Sequence, residues 1–153
     1  LNYLNMHTSP LPIFVSGLVA RGFGRGSKDL GIPTANYSAD VVKNLPTNLE
    51  AGVYYGWAQI ENGEVHKMVM SVGWNPFYKN TVKTMEIHIL YKFEREFYGS
   101  LMKVCVLNYL RPEMNFPSVD ELISAINSDV SIASKELDKP EFLKFREHEY
   151  FQV

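Results

Sequence analysis

The chain has 153 residues, a net charge of −2, and 46% apolar against 21% charged residues. That is the make-up of one globular domain built on one core, and it excludes wholesale disorder. Apolar runs of only a few residues exclude a membrane-spanning helix, and the near-neutral balance argues against a strong nucleic-acid or anionic-membrane binder.

The 9 Tyr and 9 Phe favour strands over a helical bundle. Residues 1–12 carry neither a signal-peptide core nor an Arg-rich amphipathic pattern and are expected to be a flexible N-terminal tail. Residues 13–20 read as a first strand. Residues 21–36 hold Gly22, Gly24, Gly26 and Gly31, too many glycines for regular structure, and Pro33 closes the segment. Residues 52–61 are the clearest strand, with Val53, Tyr55 and Trp57 on one face and Tyr54, Gly56, Ala58 and Ile60 on the other. Asn62-Gly63 is a strong hairpin signal, and residues 65–74 return as the partner strand until Asn75-Pro76 breaks it. Residues 84–91 alternate: Met85, Ile87, Ile89 and Tyr91 share one face, and Thr84, Glu86, His88 and Leu90 the other. Residues 100–111 form one more strand, ended by Arg111-Pro112.

After that the period changes. Val119, Leu122, Ile123, Ile126, Val130, Ala133 and Leu137 recur at helical spacing, behind a capping box from Ser118 to Glu121. Five or six antiparallel strands followed by one amphipathic helix indicate a small barrel or sandwich, with the helix plugging or bracing it. The single cysteine, Cys105, lies in the apolar run Val104-Cys105-Val106. It reads as a buried free thiol, which fits a reducing, cytoplasmic compartment.

Four stretches could carry chemistry. Arg21-Gly22-Phe23-Gly24-Arg25-Gly26-Ser27-Lys28 combines glycines, which let amides approach phosphate oxygens, with cationic side chains. It is not a P-loop, because Ser27 stands where the second glycine belongs. A plain surface loop is the alternative. Thr34 and Asn36 are two residues apart, so their oxygens face the same way in an extended segment and suit a hard divalent cation. A turn after Pro33 is the alternative there. Glu86, on the less apolar face of its strand, is either a general base or a solvated carboxylate. Arg111 and Phe116 could hold a planar ring. Otherwise they anchor a loop, with Arg111 paired to a nearby carboxylate.

Together these stretches resemble the riboflavin kinase family (ATP:riboflavin 5′-phosphotransferase) of the monofunctional eukaryotic type. Besides the glycine loop, the carrying blocks are Gly31-Ile32-Pro33-Thr34-Ala35-Asn36, Gly52-Val53-Tyr54-Tyr55-Gly56-Trp57, Gly73-Trp74-Asn75-Pro76, Met85-Glu86-Ile87-His88 and Tyr109-Leu110-Arg111-Pro112-Glu113. They occur in order within residues 13–153, which the resemblance makes a single kinase domain. It implies a six-stranded antiparallel Greek-key β-barrel with a C-terminal α-helix. It also implies transfer of the γ-phosphate of ATP to the ribityl 5′-hydroxyl of riboflavin, giving FMN and ADP. In that pattern Gly22 and Lys28 lie over the nucleotide phosphates, and Thr34 and Asn36 match the metal-binding pair. Glu86 matches the catalytic carboxylate. Ile89, Tyr91 and Tyr98 fall where the nucleotide is contacted, and Arg111, Met114 and Phe116 where a loop closes on the flavin. The implied metal is Mg²⁺, with Zn²⁺ and Mn²⁺ as alternatives. The implied partners are ATP and riboflavin alone, acting on a monomer without nucleic acid or membrane. Two other readings are a flavin-binding module without catalysis, which would need no ATP and metal site, and a single-strand nucleic-acid binder, which the charge of −2 disfavours.

Overall fold

A computed structural model describes residues 9–21, 34–74 and 83–152. The first part of the expected tail, the glycine loop with Gly22 and Lys28, and the Asn75-Pro76 break lie outside the described residues. Six strands are present among the described residues: β1 (Ile13–Ala20), β2 (Ala35–Tyr37), β3 (Gly52–Ile60), β4 (Val65–Trp74), β5 (Lys83–Ile89) and β6 (Leu101–Arg111). They close into an antiparallel barrel in the order β1-β2-β5-β4-β3-β6. Strands β3, β4 and β5 follow one another, and β6 returns to lie beside β3, which is the Greek-key arrangement.

Alternation decides which side chains fill the barrel. On β5, Met85, Ile87 and Ile89 point inward, and Thr84, Glu86 and His88 outward. Met68, Met70 and Val72 of β4 and Met102, Val104 and Val106 of β6 complete the interior. Tyr37 of β2 closes it from the other side, its hydroxyl donating to the Met102 carbonyl at 2.6 Å. A short helix α1 (Ala39–Lys43) adds Val42 to the same core.

One core was expected and two are found. The outward faces of β3 and β6 are buried as well: Tyr55, Trp57, Cys105 and Leu107 form a second apolar cluster with Ala133, Leu137 and Phe151. These two strands lie between layers and are apolar over most of both faces. The buried polar exceptions, Gln59 and Lys103, are hydrogen-bonded, Gln59 donating to the Gly63 and Phe151 carbonyls and Lys103 to the Tyr150 carbonyl. Burial pushes the Cys105 thiol up to about 12, so it is an inert packing group. At Gly56 a Cβ would collide with the Cys105 backbone carbonyl, and the β3–β6 register shifts between Tyr55 and Gly56. Only glycine allows that approach.

The second core is covered by α2 (Val119–Glu136) and the tail beyond it, which includes α3 (Pro140–Leu143). The Ser118 hydroxyl accepts the Glu121 N–H at 3.2 Å, as the capping box requires. The helix braces the barrel from outside and does not plug it. Lys67 of β4 donates to the Ser134 carbonyl and pairs with Asp138, both at 2.8 Å. The Trp57 indole donates to the Phe142 carbonyl at 2.9 Å. The hairpin between β3 and β4 forms, but the left-handed residue is Glu61, with φ of 53°, and not Asn62 or Gly63. Glu61 is held there by β6: its N–H donates to the Leu101 carbonyl, and its carboxylate accepts the Leu101 N–H at 2.9 Å.

Candidate active site

The helix and tail cover the outer faces of β3, β6 and the first half of β4. The outer faces of β2, β5 and the rest of β4 carry polar residues, and here the register assembles a row. Asn36 of β2 stands opposite Glu86 of β5, and Glu86 stands opposite Ser71 of β4. Neighbouring strands lie about 4.8 Å apart, so the three residues line up within about 10 Å. Thr34, two residues before Asn36, joins the same side of β2. On β5, His88 follows Glu86 on this face, opposite Val69. Burial raises the Glu86 carboxyl above its ordinary value and lowers the His88 imidazole below its own. Glu86 is thus half-buried and costly to ionise, the opposite of a solvated surface carboxylate.

The Thr34 hydroxyl oxygen is buried and has no hydrogen-bond partner among the described residues. A buried hydroxyl left so costs free energy unless something else binds it. A neutral hydroxyl and an amide, with a carboxylate one strand away, form a hard-oxygen donor set. It fits a divalent cation that keeps water and takes its other ligands from phosphate.

The nucleotide candidates group at one end of the barrel. Ile89 is buried in the interior core, so any contact it makes with a nucleotide is through its backbone. Tyr91 does not share the inward face with Ile89, because the strand ends at Ile89. Its ring is about half exposed and stacks on His66 of β4, with centroids 4.0 Å apart. Phe93 meets the same pair edge-on. Composition and spacing did not single out His66. Tyr98 lies on the loop back to β6, where Gly99 N–H donates to the Val19 carbonyl at 2.8 Å. The Arg21 guanidinium sits 4.9 Å from the Tyr98 ring centroid, so Tyr98 adjoins the start of the glycine loop.

At the end of β6, Arg111 makes a bidentate pair with Asp129 of α2, its Nε and one terminal nitrogen each 2.8 Å from a carboxylate oxygen. Its other terminal nitrogen donates to the Pro112 carbonyl at 3.1 Å. The guanidinium lies 5.7 Å from the Phe116 ring centroid. The carboxylate pairing named for the loop-anchor alternative is present, and Arg111 roots the loop that carries Met114 and Phe116. Met114 is exposed. Asp129 was missed by the sequence reading, although a signal existed: it falls within the apolar stripe between Ile126 and Ala133, where a carboxylate needs a buried partner.

Comparison with known proteins bears on this geometry. A family model described as Flavokinase, riboflavin kinase, matches residues 9–137. The riboflavin kinase of Homo sapiens is 57% identical over 143 residues, covering 94% of this chain and 92% of that protein. A bifunctional riboflavin kinase/FMN phosphatase of Arabidopsis thaliana is 44% identical over 94% of this chain and 38% of its own length. Among solved structures, riboflavin kinase from Trypanosoma brucei superposes with a TM-score of 0.76 at 30% identity, covering 95% of this chain and 92% of that one.

Proposed function

This chain belongs to the riboflavin kinase family and phosphorylates riboflavin with ATP to give FMN, and we propose that it does so on the outer face of β2, β5 and β4, with Glu86 as the general base. The observation that carries this reading is the row Asn36, Glu86, Ser71, with the orphaned Thr34 hydroxyl at its edge.

A primary alcohol does not ionise near neutral pH, so a base must take its proton as the oxygen attacks phosphorus. We assign this to Glu86, whose burial supports the reading by making the carboxylate a better proton acceptor than an exposed one. Thr34 and Asn36 would hold the divalent cation, Mg²⁺ with Zn²⁺ or Mn²⁺ as alternatives; when bound it neutralises charge on the phosphate oxygens. Gly22 and Lys28 approach the phosphates from the glycine loop. Tyr91, Tyr98 and the Ile89 backbone contact the nucleotide. Phe116 and Met114 close on the flavin ring, and Arg111 fixes their loop through Asp129. Positioning supplies most of the acceleration, because phosphoryl transfer needs little covalent help. We also propose that the protein acts as a monomer, and that it works in the cytoplasm, a reducing compartment that its free Cys105 fits.

The test is Glu86→Gln, followed by FMN formation and by nucleotide binding. Turnover is expected to fall by about 100-fold or more while ATP affinity stays within about threefold. Near-wild-type turnover would remove Glu86 from the mechanism.

A further inference from the structure

The blocks containing Gly73 and Glu113 have no role in the site as described, yet the fold brings them together. Gly73 of β4 stands opposite Thr84 of β5. It is the next outward-facing rung after Ser71–Glu86, about 7 Å farther along the strands. A Cβ at Gly73 would collide with Oε1 of Glu113 and come within 3.2 Å of its Cδ. The carboxylate therefore rests on the strand surface, in the space that any other residue's side chain would take. Glu113 is itself exposed and has no hydrogen bond or ion pair among the described residues. Its loop is rooted two residues earlier by the Arg111–Asp129 pair, so the placement is not accidental.

A carboxylate accepts hydrogen bonds and donates none, whereas a polyol offers a row of hydroxyl donors. With the reacting hydroxyl at Glu86 and the ring against the loop of Phe116, the intervening polyol crosses the Gly73–Thr84 rung. We propose that Glu113 is a substrate-binding residue that accepts hydrogen bonds from the ribityl hydroxyls of riboflavin, and that Gly73 is glycine because this carboxylate fills its slot. The inference rests on the placement of Glu86 and the flavin loop proposed above.

The experiment compares riboflavin with lumiflavin, which has the same ring and no polyol, by flavin fluorescence titration in the presence of ADP and Mg²⁺. Glu113→Ala is expected to weaken riboflavin binding about tenfold or more and leave lumiflavin unchanged. Glu113→Gln, which keeps an acceptor, should fall between, and Gly73→Ala should reproduce the loss by displacing the carboxylate. Equal weakening of both flavins would mean that Glu113 only shapes the ring site, and would overturn the proposal, as would no change in either. Two controls separate this from the underlying placement. Wild-type turnover in Glu86→Gln, or wild-type riboflavin affinity in Phe116→Ala, would overturn the site and this inference with it. If both controls behave as expected and Glu113→Ala binds riboflavin normally, only the role of Glu113 falls.

Discussion

Asp129→Ala tests whether a buried ion pair in the brace sets the flavin loop. In the folded protein the Asp129 side chain is 7% exposed and that of Arg111 19%, and two hydrogen bonds of 2.8 Å join them. Deleting the carboxylate leaves a mostly buried guanidinium with the Pro112 carbonyl as its remaining partner. Breaking a buried pair from one side costs about 3–5 kcal/mol. The residual exposure of Arg111 and its bond to Pro112 put this case at the lower end, about 3 kcal/mol. At about 2–4 °C per kcal/mol for a chain of this size, Tm should fall by about 6–12 °C. The loop bearing Phe116 loses its root, so KM for riboflavin should rise while KM for ATP stays put. Thermal melts and two-substrate kinetics on the same preparation measure both effects. The double variant Arg111→Met/Asp129→Leu should recover most of the stability, because an apolar pair carries no desolvation penalty. It should not recover riboflavin affinity, because Phe116 no longer has the guanidinium beside it. A Tm loss below about 2 °C in Asp129→Ala would refute the pair as an anchor.

Four further outcomes follow from three residues. Since burial raises the Glu86 carboxyl, the acid limb of kcat/KM should have its midpoint above 4.5, and a limb at or below that value would contradict the base assignment. The same raised value makes the contribution of Glu86 to stability present at low pH and lost as pH rises through it, so Glu86→Gln should stabilise the fold more at pH 8 than at pH 4 in denaturant titrations. Thr34→Val should raise stability without ligands by about 1 kcal/mol by removing an orphaned hydroxyl, and should lower metal-dependent turnover about tenfold or more; unchanged turnover would remove Thr34 from the cation site. Gly56→Ala should cost about 3 kcal/mol, since the atom it strikes is the Cys105 backbone oxygen, which cannot rotate away; a melt within 2 °C of wild type would refute that packing.

Local pattern reveals what local pattern determines. Strands β1, β3, β4, β5 and β6 and helix α2 were legible to within a residue or two, because period-two alternation and a capping box act within each segment. Strand β2 was missed: residues 21–36 were expected to hold no regular structure, yet Ala35–Tyr37 is a strand. Three residues make a strand only because β1 and β5 pair with them. Helix α1 is likewise too short to announce itself. That Glu86 faces away from the core followed from alternation on its own strand. That it meets Asn36 and Ser71 depends on the register of three strands, which no single segment encodes. The stacking of His66 on Tyr91 was hidden for the same reason. Asp129 was legible in principle, as a carboxylate inside an apolar helical stripe.

The two cores bear on where the proposed site lies. The described interior of the barrel is filled by apolar side chains, which favours the outer face proposed above for binding. Half of that outside is apolar and is used up by α2 and the tail. The proposed site uses the polar part that remains, where the register sets Asn36, Glu86 and Ser71 in a row. Glu86 sits on β5 between Met85 and Ile87, both sealed in the interior. The strand therefore fixes its backbone and directs its side chain to the outer face. Arg111, at the last residue of β6, pairs with the helix that covers the other half. Bracing the apolar side and rooting the loop on the polar side are thus one interaction, which is why a single carboxylate in α2 should affect both stability and riboflavin affinity.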